Sequence, residues 1–203
     1  MAKPLSSLLS DLTELGQAQG GFITTTQASA AGMAQADLRR LTTQGFLERE
    51  QRGLYRLSHL PLDENAELWR AVLWPMLDRS DQVTASLCYG TALSLYEVST
   101  INPKTIDIAV PRDIRFRRST PLPPQVHLHS KTYPAEDLTT TRGLPSTTLF
   151  RTIADLIALG VDLQFVDEAL ANPRASALLT THEKQTLAAL RTLDRRAISL
   201  LLV

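Results

Sequence analysis

The chain has 203 residues with 21 basic and 21 acidic side chains, so its formal net charge is zero. This balance excludes a protein that coats nucleic acid or a membrane surface through its overall charge, and any such binding must come from local clusters. Cys88 is the only cysteine, which excludes an internal disulfide and a zinc site built from several cysteines. Residues 1–10 lack the continuous apolar core of a signal peptide, so we expect a cytoplasmic protein. We also expect no cofactor and no metal.

Residues 22–57 predict a winged helix-turn-helix. Thr24 and Gln27 have the spacing of a capping box, which predicts that a short helix begins there. Gly32 then supplies the tight turn that separates two helices in this motif. A second helix is expected over residues 34–44, because its apolar residues recur at helical spacing.

The second helix carries two adjacent arginines on its polar face. Leu38 and Leu41 fall on one side of the helix, and Arg39 and Arg40 fall on the opposite side. Two short strands, at 46–49 and 54–57, are expected to form a hairpin with Arg52 at its tip. This hairpin would be the wing.

We expect the exposed face of the second helix to enter the DNA major groove and the wing to lie near phosphates. The residues expected to contact DNA are Thr25, Thr26, Gln35, Ala36, Arg39, Arg40, Thr43, Arg49, Arg52 and Arg56. The alternative is a winged helix that binds protein and leaves these arginines solvated. Residues 1–60 hold six basic and five acidic side chains. The small excess predicts modest affinity per monomer, so that dimers or repeated sites are needed.

The remainder of the chain predicts a second domain of helices and strands. We place the winged domain at residues 1–60 and an α+β domain that ends in helices at residues 61–203. Its strands are expected at 106–110, 126–129 and 138–142, and its helices at 87–96, 149–159, 163–171 and 180–193. The fold class is therefore mixed α/β, of the α+β kind. Trp69 and Trp74 are expected in the core.

Four arginines lie close together in the second half of the chain. Arg112, Arg115, Arg117 and Arg118 are offset only by Asp113. They form either a phosphate-binding patch for nucleic acid or a solvated loop.

One pattern in the second domain is typical of a nucleotidyltransferase. Gly90 and Thr91 precede Asp107 on a predicted strand, in the order of a glycine turn followed by metal-binding carboxylates. Ala109 stands where the second carboxylate of such a site belongs, and one carboxylate does not hold the two metal ions of this chemistry. We therefore expect no enzymatic activity, and a nucleotidyltransferase-like enzyme is kept as an alternative.

The other candidate groups favour structural roles. His127 and His129 share one face of a strand but have no third ligand in view, so no metal site is expected. Cys88 is expected in the core, within a helix. Arg151 and Asp155 are one helical turn apart and are expected to form a structural ion pair. The apolar tail, residues 198–203, is expected to dock on the second domain or on another subunit.

Both halves of the chain resemble the AbiEi-type antitoxins of bacterial type IV toxin-antitoxin systems. The segments that carry the resemblance are residues 21–25, Gly32, 38–41, 45–47 and 52–57 in the first half, and 91–96, 106–111, 143–148 and 151–156 in the second. Each segment is weak alone, and the ordered set is more specific.

This resemblance implies an antitoxin that also represses its own operon, a phage abortive-infection system. The winged domain would bind inverted repeats in the promoter, and the C-terminal domain would counteract a nucleotidyltransferase toxin without a stable complex. Such a protein would be a monomer or weak dimer that binds DNA cooperatively. The alternative is a stand-alone winged-helix regulator whose second domain senses a ligand or dimerises.

Overall fold

The structure, a computed structural model, describes residues 5–62, 64–77, 85–112 and 121–193. It confirms the mixed α/β class, with nine α-helices and two β-sheets in the described part of the chain. The chain forms two compact units. One comprises residues 1–85 and 112–124, and the other comprises residues 86–111 and 125–203. Residues 64–77 therefore pack with the winged motif, whereas the sequence analysis placed them in the second domain.

The first unit contains a three-stranded antiparallel sheet and four helices. Its elements are α1 (Leu5–Gln17), β1 (Phe22–Thr24), α2 (Thr25–Ala30), α3 (Gln35–Thr43), β2 (Leu47–Gln51), β3 (Leu54–Leu57) and α4 (Ala66–Leu73). Strand β3 is central, between β1 and β2. This is the order of elements of a winged helix-turn-helix, with β2 and β3 as the wing.

A buried polar network sets the start of α2. The Thr24 hydroxyl accepts a hydrogen bond from the Gln27 N–H, and the Gln27 side chain accepts one from the Thr24 N–H, at 3.1 and 3.0 Å. The Gln27 amide also donates to the Gln19 side chain at 2.7 Å. The predicted capping box is thus confirmed, and the neighbouring loop fixes it further.

The core of the first unit orients α3. Leu38 and Leu41 are each 1% exposed and pack with Leu12, Ile23 and Leu57. The helix is slightly shorter than predicted, because Ala34 and Gln44 are its caps. Trp69 and Trp74 are also buried, as expected.

The second unit is a five-stranded mixed sheet with five helices. Its elements are β4 (Ser86–Leu87), α5 (Tyr89–Tyr96), β5 (Ile106–Val110), β6 (Val126–Ser130), β7 (Leu138–Thr141), β8 (Leu144–Thr147), α6 (Leu149–Leu159), α7 (Leu163–Ala171), α8 (Pro173–Leu178) and α9 (Thr181–Thr192). The strand order is β6-β5-β4-β8-β7. Strand β4 pairs antiparallel with β5 and parallel with β8.

Three details of the second unit differ from the sequence analysis. The helix predicted from residue 87 begins at Tyr89, because Ser86 and Leu87 pair with their neighbours as a strand. Cys88 is therefore the N-cap of α5 and not an interior residue, although it is fully buried as expected. Strand β8 and helix α8 were not predicted.

The caps of the later helices follow the sequence closely. The Thr148 hydroxyl accepts from the Arg151 N–H at the start of α6, and Gly160 ends this helix with a φ of 65°. A capping box of Thr180 and Glu183 begins α9. The apolar tail at 198–203 lies outside the described residues, so its docking stays a prediction. Within the described parts, no helix is long and apolar enough to span a bilayer.

Candidate nucleic-acid interface

Helix α3 presents one continuous polar face. The residues that point away from the core, all of them exposed, are Gln35, Ala36, Arg39, Arg40 and Thr43. All five are among the residues expected to contact DNA, and Leu38 and Leu41 fix the rotation of the helix that exposes them. A face of this length matches the part of a helix that fits into a major groove.

The two arginines of α3 differ in their surroundings. The guanidinium of Arg40 pairs with the Asp37 carboxylate at 3.2 Å, with exposed side-chain fractions of 49% and 31%. The same carboxylate accepts the Ala34 N–H at 3.3 Å, at the start of the helix. Arg39 makes no ion pair with any residue that the structure describes. Its guanidinium is therefore fully available to an anionic or hydrogen-bonding partner.

The wing brings two further unpaired arginines to the surface. Arg52 and Gly53 form the turn between β2 and β3. Gly53 has a φ of 81°, and a Cβ there would lie 3.0 Å from the Leu77 carbonyl oxygen, so this turn requires glycine. Arg52 and Arg49 are exposed, and among the described residues neither is in an ion pair.

Arg56 lies in a different environment from the other wing arginines. It is opposite Glu48 in the hairpin and pairs with that carboxylate and with Glu50, the second at 3.3 Å. Glu50 also pairs with Arg70 at 2.9 Å. The Arg56 side chain is only 14% exposed. Since side chains alternate along a strand, Arg49 and Arg56 project from opposite faces of the hairpin. The structure thus separates Arg56 from the other expected phosphate contacts.

Thr25 and Thr26 occupy the first turn of α2 and are partly exposed. The Thr26 hydroxyl donates to the Met76 carbonyl at 3.1 Å, and the Thr25 N–H donates to the Gly53 carbonyl at 2.9 Å. The first bond connects α2 to the turn at residues 74–76, and the second connects it to the wing turn. Within the second arginine cluster, Arg115, Arg117 and Arg118 lie outside the described residues, and Arg112 is exposed.

The segment that contains this helix, turn and wing matches a family model. Residues 10–58 match the family model of the AbiEi antitoxin transcriptional regulators. The match covers the winged helix-turn-helix and supports a role as antitoxin or regulator.

The full chain is also similar to the crystal structure of the RV2827C protein from Mycobacterium tuberculosis. The sequences are 14% identical over 97% of this chain and 80% of that chain, with a TM-score of 0.48. A comparison with curated proteins gives no match.

The second unit holds a buried ionic network around Asp155. This carboxylate is 3% exposed and accepts hydrogen bonds from the Lys131 ammonium at 2.8 Å and the Tyr133 hydroxyl at 2.6 Å. The Arg151 Nε lies 3.0 Å from the same carboxylate, which confirms the predicted pair, and another guanidinium nitrogen of Arg151 bonds Asp137 at 3.1 Å. Two cations and two carboxylates balance, so the network is a structural element that joins α6 to the loops beside the sheet.

Burial and the nearby carboxylate set the proton affinities of this network. Desolvation, followed by the charge of Asp155, raises the pKa of Tyr133 well above its usual range. The same two causes raise the pKa of Tyr89 to about 12. Desolvation also raises the pKa of Asp137, against the opposing effect of Arg151. These groups keep their protons more strongly than in water, which fits a role in packing.

Asp107 lies beside two histidines in the sheet of the second unit. The Asp107 carboxylate lies 2.8 Å from His129 Nε2 and 3.8 Å from His127 Nδ1. The Thr91 hydroxyl accepts the Asp107 N–H at 2.9 Å, so this hydroxyl joins α5 to β5. Ala109 is buried at the second carboxylate position. In the described parts of the chain, no group of three or more histidine, cysteine or acidic side chains is arranged to hold a metal ion.

Proposed function

We propose that this protein is a cytoplasmic transcriptional repressor and antitoxin of a type IV toxin-antitoxin operon. The winged unit binds inverted repeats in its own promoter, and the second unit counteracts a nucleotidyltransferase toxin. The observation that carries the DNA-binding part is the outward face of α3 and the adjoining wing, where Arg39, Arg49 and Arg52 form no ion pair with any described residue.

The contacts fall into two classes in this proposal. Gln35, Arg39 and Arg40 read base edges in the major groove, since arginine and glutamine have the donor geometry for guanine and adenine. Arg49 and Arg52 bind phosphates and set the position of the protein on the duplex. Arg56 is already neutralised by two carboxylates and contributes to the fold of the wing instead.

The charge distribution predicts a modest affinity for a single copy. Each phosphate contact releases counterions, and the free energy gained grows with the number of such contacts. One winged unit supplies only a few unpaired cations. Two copies on an inverted repeat double that number, so binding is expected to be cooperative.

The antitoxin part of the proposal rests on the family that residues 10–58 match. The second unit has its own sheet and core, so its action is separable from that of the winged unit. No catalytic step is proposed for it, since Asp107 is paired with histidines and lacks a second carboxylate beside it.

A growth assay with the full chain tests both parts. The adjacent gene is expressed alone and together with the wild type or with a variant that combines Arg39→Ala and Arg40→Ala. We expect the neighbour to be toxic, and both the wild type and the variant to restore growth. Only the wild type should bind the promoter fragment in a gel shift. Absence of rescue by the wild type contradicts the antitoxin role, and unchanged promoter binding by the variant contradicts the role of α3.

A further inference from the structure

Strand β7 is an edge strand of the second unit's sheet, and no described strand pairs with its outer side. It is the last strand in the order β6-β5-β4-β8-β7. Its residues are one leucine and three threonines, and Leu138, Thr139 and Thr140 are all exposed. The strand has no charge, proline or bulge, which are the usual devices that prevent an edge from pairing with another chain. The opposite edge differs, because β6 carries His127 and His129 and is followed by Lys131.

The hydrogen-bond pattern shows which backbone groups of β7 point outward. The Thr148 N–H donates to the Asp137 carbonyl at 2.8 Å, and bonded and non-bonded pairs alternate along an antiparallel ladder. Thr139 is therefore bonded to β8, while Thr140 lies opposite Pro145, which has no N–H to donate. The N–H and carbonyl of Thr140 consequently point away from β8.

A neighbouring residue adds one more outward acceptor. The Leu138 carbonyl points the same way as the groups of Thr140, because the two residues are two positions apart. The Leu138 N–H is already bonded to the Ala135 carbonyl. Among the residues that the structure describes, none bonds the outward groups of Thr140.

We propose that β7 pairs antiparallel with β7 of a second copy of this chain, with the twofold axis at Thr139. The two sheets then become one continuous sheet across the dimer. The Thr140 N–H of each copy donates to the Leu138 carbonyl of the other. The interface is isologous, since the same strand serves on both sides.

Charge complementarity selects this register. Glu136 lies in the single 3-10 turn just before β7, and Arg142 lies in the turn just after it. With the axis at Thr139, antiparallel pairing brings Glu136 of each copy close to Arg142 of the other copy, so that an ion pair can form at each end of the paired strands. A shift of the axis to Thr140 places Arg142 opposite Leu138 and loses both pairs. Arg142 pairs at present with Glu97 at 2.5 Å, with exposed fractions of 42% and 49%. An exposed ion pair of this kind contributes little to stability, so Arg142 can exchange partners.

The short strand predicts a weak dimer in free solution. Four residues on each side bury little surface, well below the size of a stable interface. Two copies held on neighbouring half-sites reach a high effective concentration, which is sufficient for a weak contact to form. Only this last step rests on the proposed DNA binding, because strand pairing is a property of the protein alone.

Cysteine crosslinking without DNA tests the pairing and its register. In Thr139→Cys the two introduced cysteines face each other across the axis in a non-hydrogen-bonded pair, with Cα atoms about 4.5 Å apart, which allows a disulfide. In the control Thr141→Cys, the two cysteines are separated by four residue positions, or about 13 Å, which forbids one. Both threonines lie on the same strand, and the buried Cys88 is common to both variants.

We expect the Thr139→Cys protein to form a covalent dimer at least about tenfold faster than the Thr141→Cys protein under mild oxidation. Equal rates in the two variants overturn the proposal. Fastest crosslinking in a Thr140→Cys protein overturns the register. Crosslinking of Thr139→Cys only to a different, co-expressed protein also overturns it, since the occupant is then not a second copy.

A charge swap provides an independent check. Glu136→Arg places like charges opposite each other and should reduce the dimer fraction in sedimentation experiments at high protein concentration. Adding Arg142→Glu restores opposite charges and should restore the dimer. An unchanged dimer fraction in the single variant, or no recovery in the double variant, contradicts the assigned register. None of these measurements involves DNA, so their failure is distinguishable from a failure of promoter binding.

Discussion

Asp37 and Arg40 form an ion pair within α3, at 3.2 Å, on the face that we assign to DNA. The Asp37 carboxylate is the only acidic group among the residues of this helix. It neutralises Arg40 and repels phosphates. The helix therefore carries one of its two arginines in a partly neutralised state.

Removal of this charge should strengthen DNA binding. Asp37→Asn keeps an oxygen that accepts the Ala34 N–H but frees Arg40 and removes a negative charge from the interface. We expect the affinity for the promoter fragment to rise about two- to tenfold at low salt, with a smaller gain at high salt because screening weakens the repulsion. Fluorescence anisotropy titrations at two salt concentrations measure this change in affinity. A lower affinity at both concentrations would place Asp37 in a favourable contact instead.

Arg52 at the wing tip should contribute to affinity but not to sequence preference. Arg52→Ala is expected to weaken binding to the promoter and to unrelated DNA by similar factors, and to reduce the slope of log K against log salt by about 1. The measurement is a salt series on both duplexes. A change in the ratio of the two affinities would show that Arg52 reads bases.

The buried carboxylate of Asp155 should be essential to the stability of the second unit. Asp155→Asn leaves Lys131 and Arg151 without their shared counter-charge in a site that is almost closed to water. Breaking such a buried pair costs about 3–5 kcal/mol of unfolding free energy. Asp167→Asn is the matched control, since Asp167 pairs with Arg191 but is 57% exposed. This control should lose at most about 1 kcal/mol. Urea unfolding measures the loss of unfolding free energy in both variants. Equal losses in the two variants would contradict the stabilising role of Asp155.

Tyr89 should make the protein sensitive to alkali. Its pKa is raised from 10.0 to about 12, so between these values the unfolded chain loses the proton while the folded chain retains it. The folded state then binds more protons, and its stability falls as pH rises from 10 towards 12. Tyr89→Phe removes this contribution. Urea unfolding between about pH 9 and pH 11 should give a shallower decline for Tyr89→Phe than for the wild type. Parallel declines would show that Tyr89 ionises equally in both states.

Local sequence signals were sufficient for the winged motif. Each of its features depends on residues that are neighbours in sequence. The spacing of Thr24 and Gln27 predicted the capping box, the periodicity of the leucines predicted α3, and Arg52 and Gly53 predicted the wing turn. The neutralisation of Arg56 was not predictable, because the ion pairs that link it through Glu50 to Arg70 form only in the folded unit. A strict alternation rule along β2 and β3 would have separated Arg49 from Arg56.

The sheet of the second unit was harder to predict, for a physical reason. Ser86–Leu87 is a two-residue strand, and its pairing partners lie about 20 and 60 residues away in sequence, so periodicity gives no signal for it. Proline is uncommon inside strands, and β8 contains Pro145. The structure accommodates it opposite Thr140, at a position that needs no N–H.

The affinity of Arg39→Ala for the promoter fragment tests the central claim most directly. Arg174→Ala is the control, because Arg174 is an exposed arginine of the second unit, 63% exposed. We predict that Arg39→Ala loses about 1–3 kcal/mol of binding free energy in anisotropy titrations and that Arg174→Ala binds like the wild type. Wild-type affinity in the Arg39→Ala protein, with the fold intact by circular dichroism, would contradict the account.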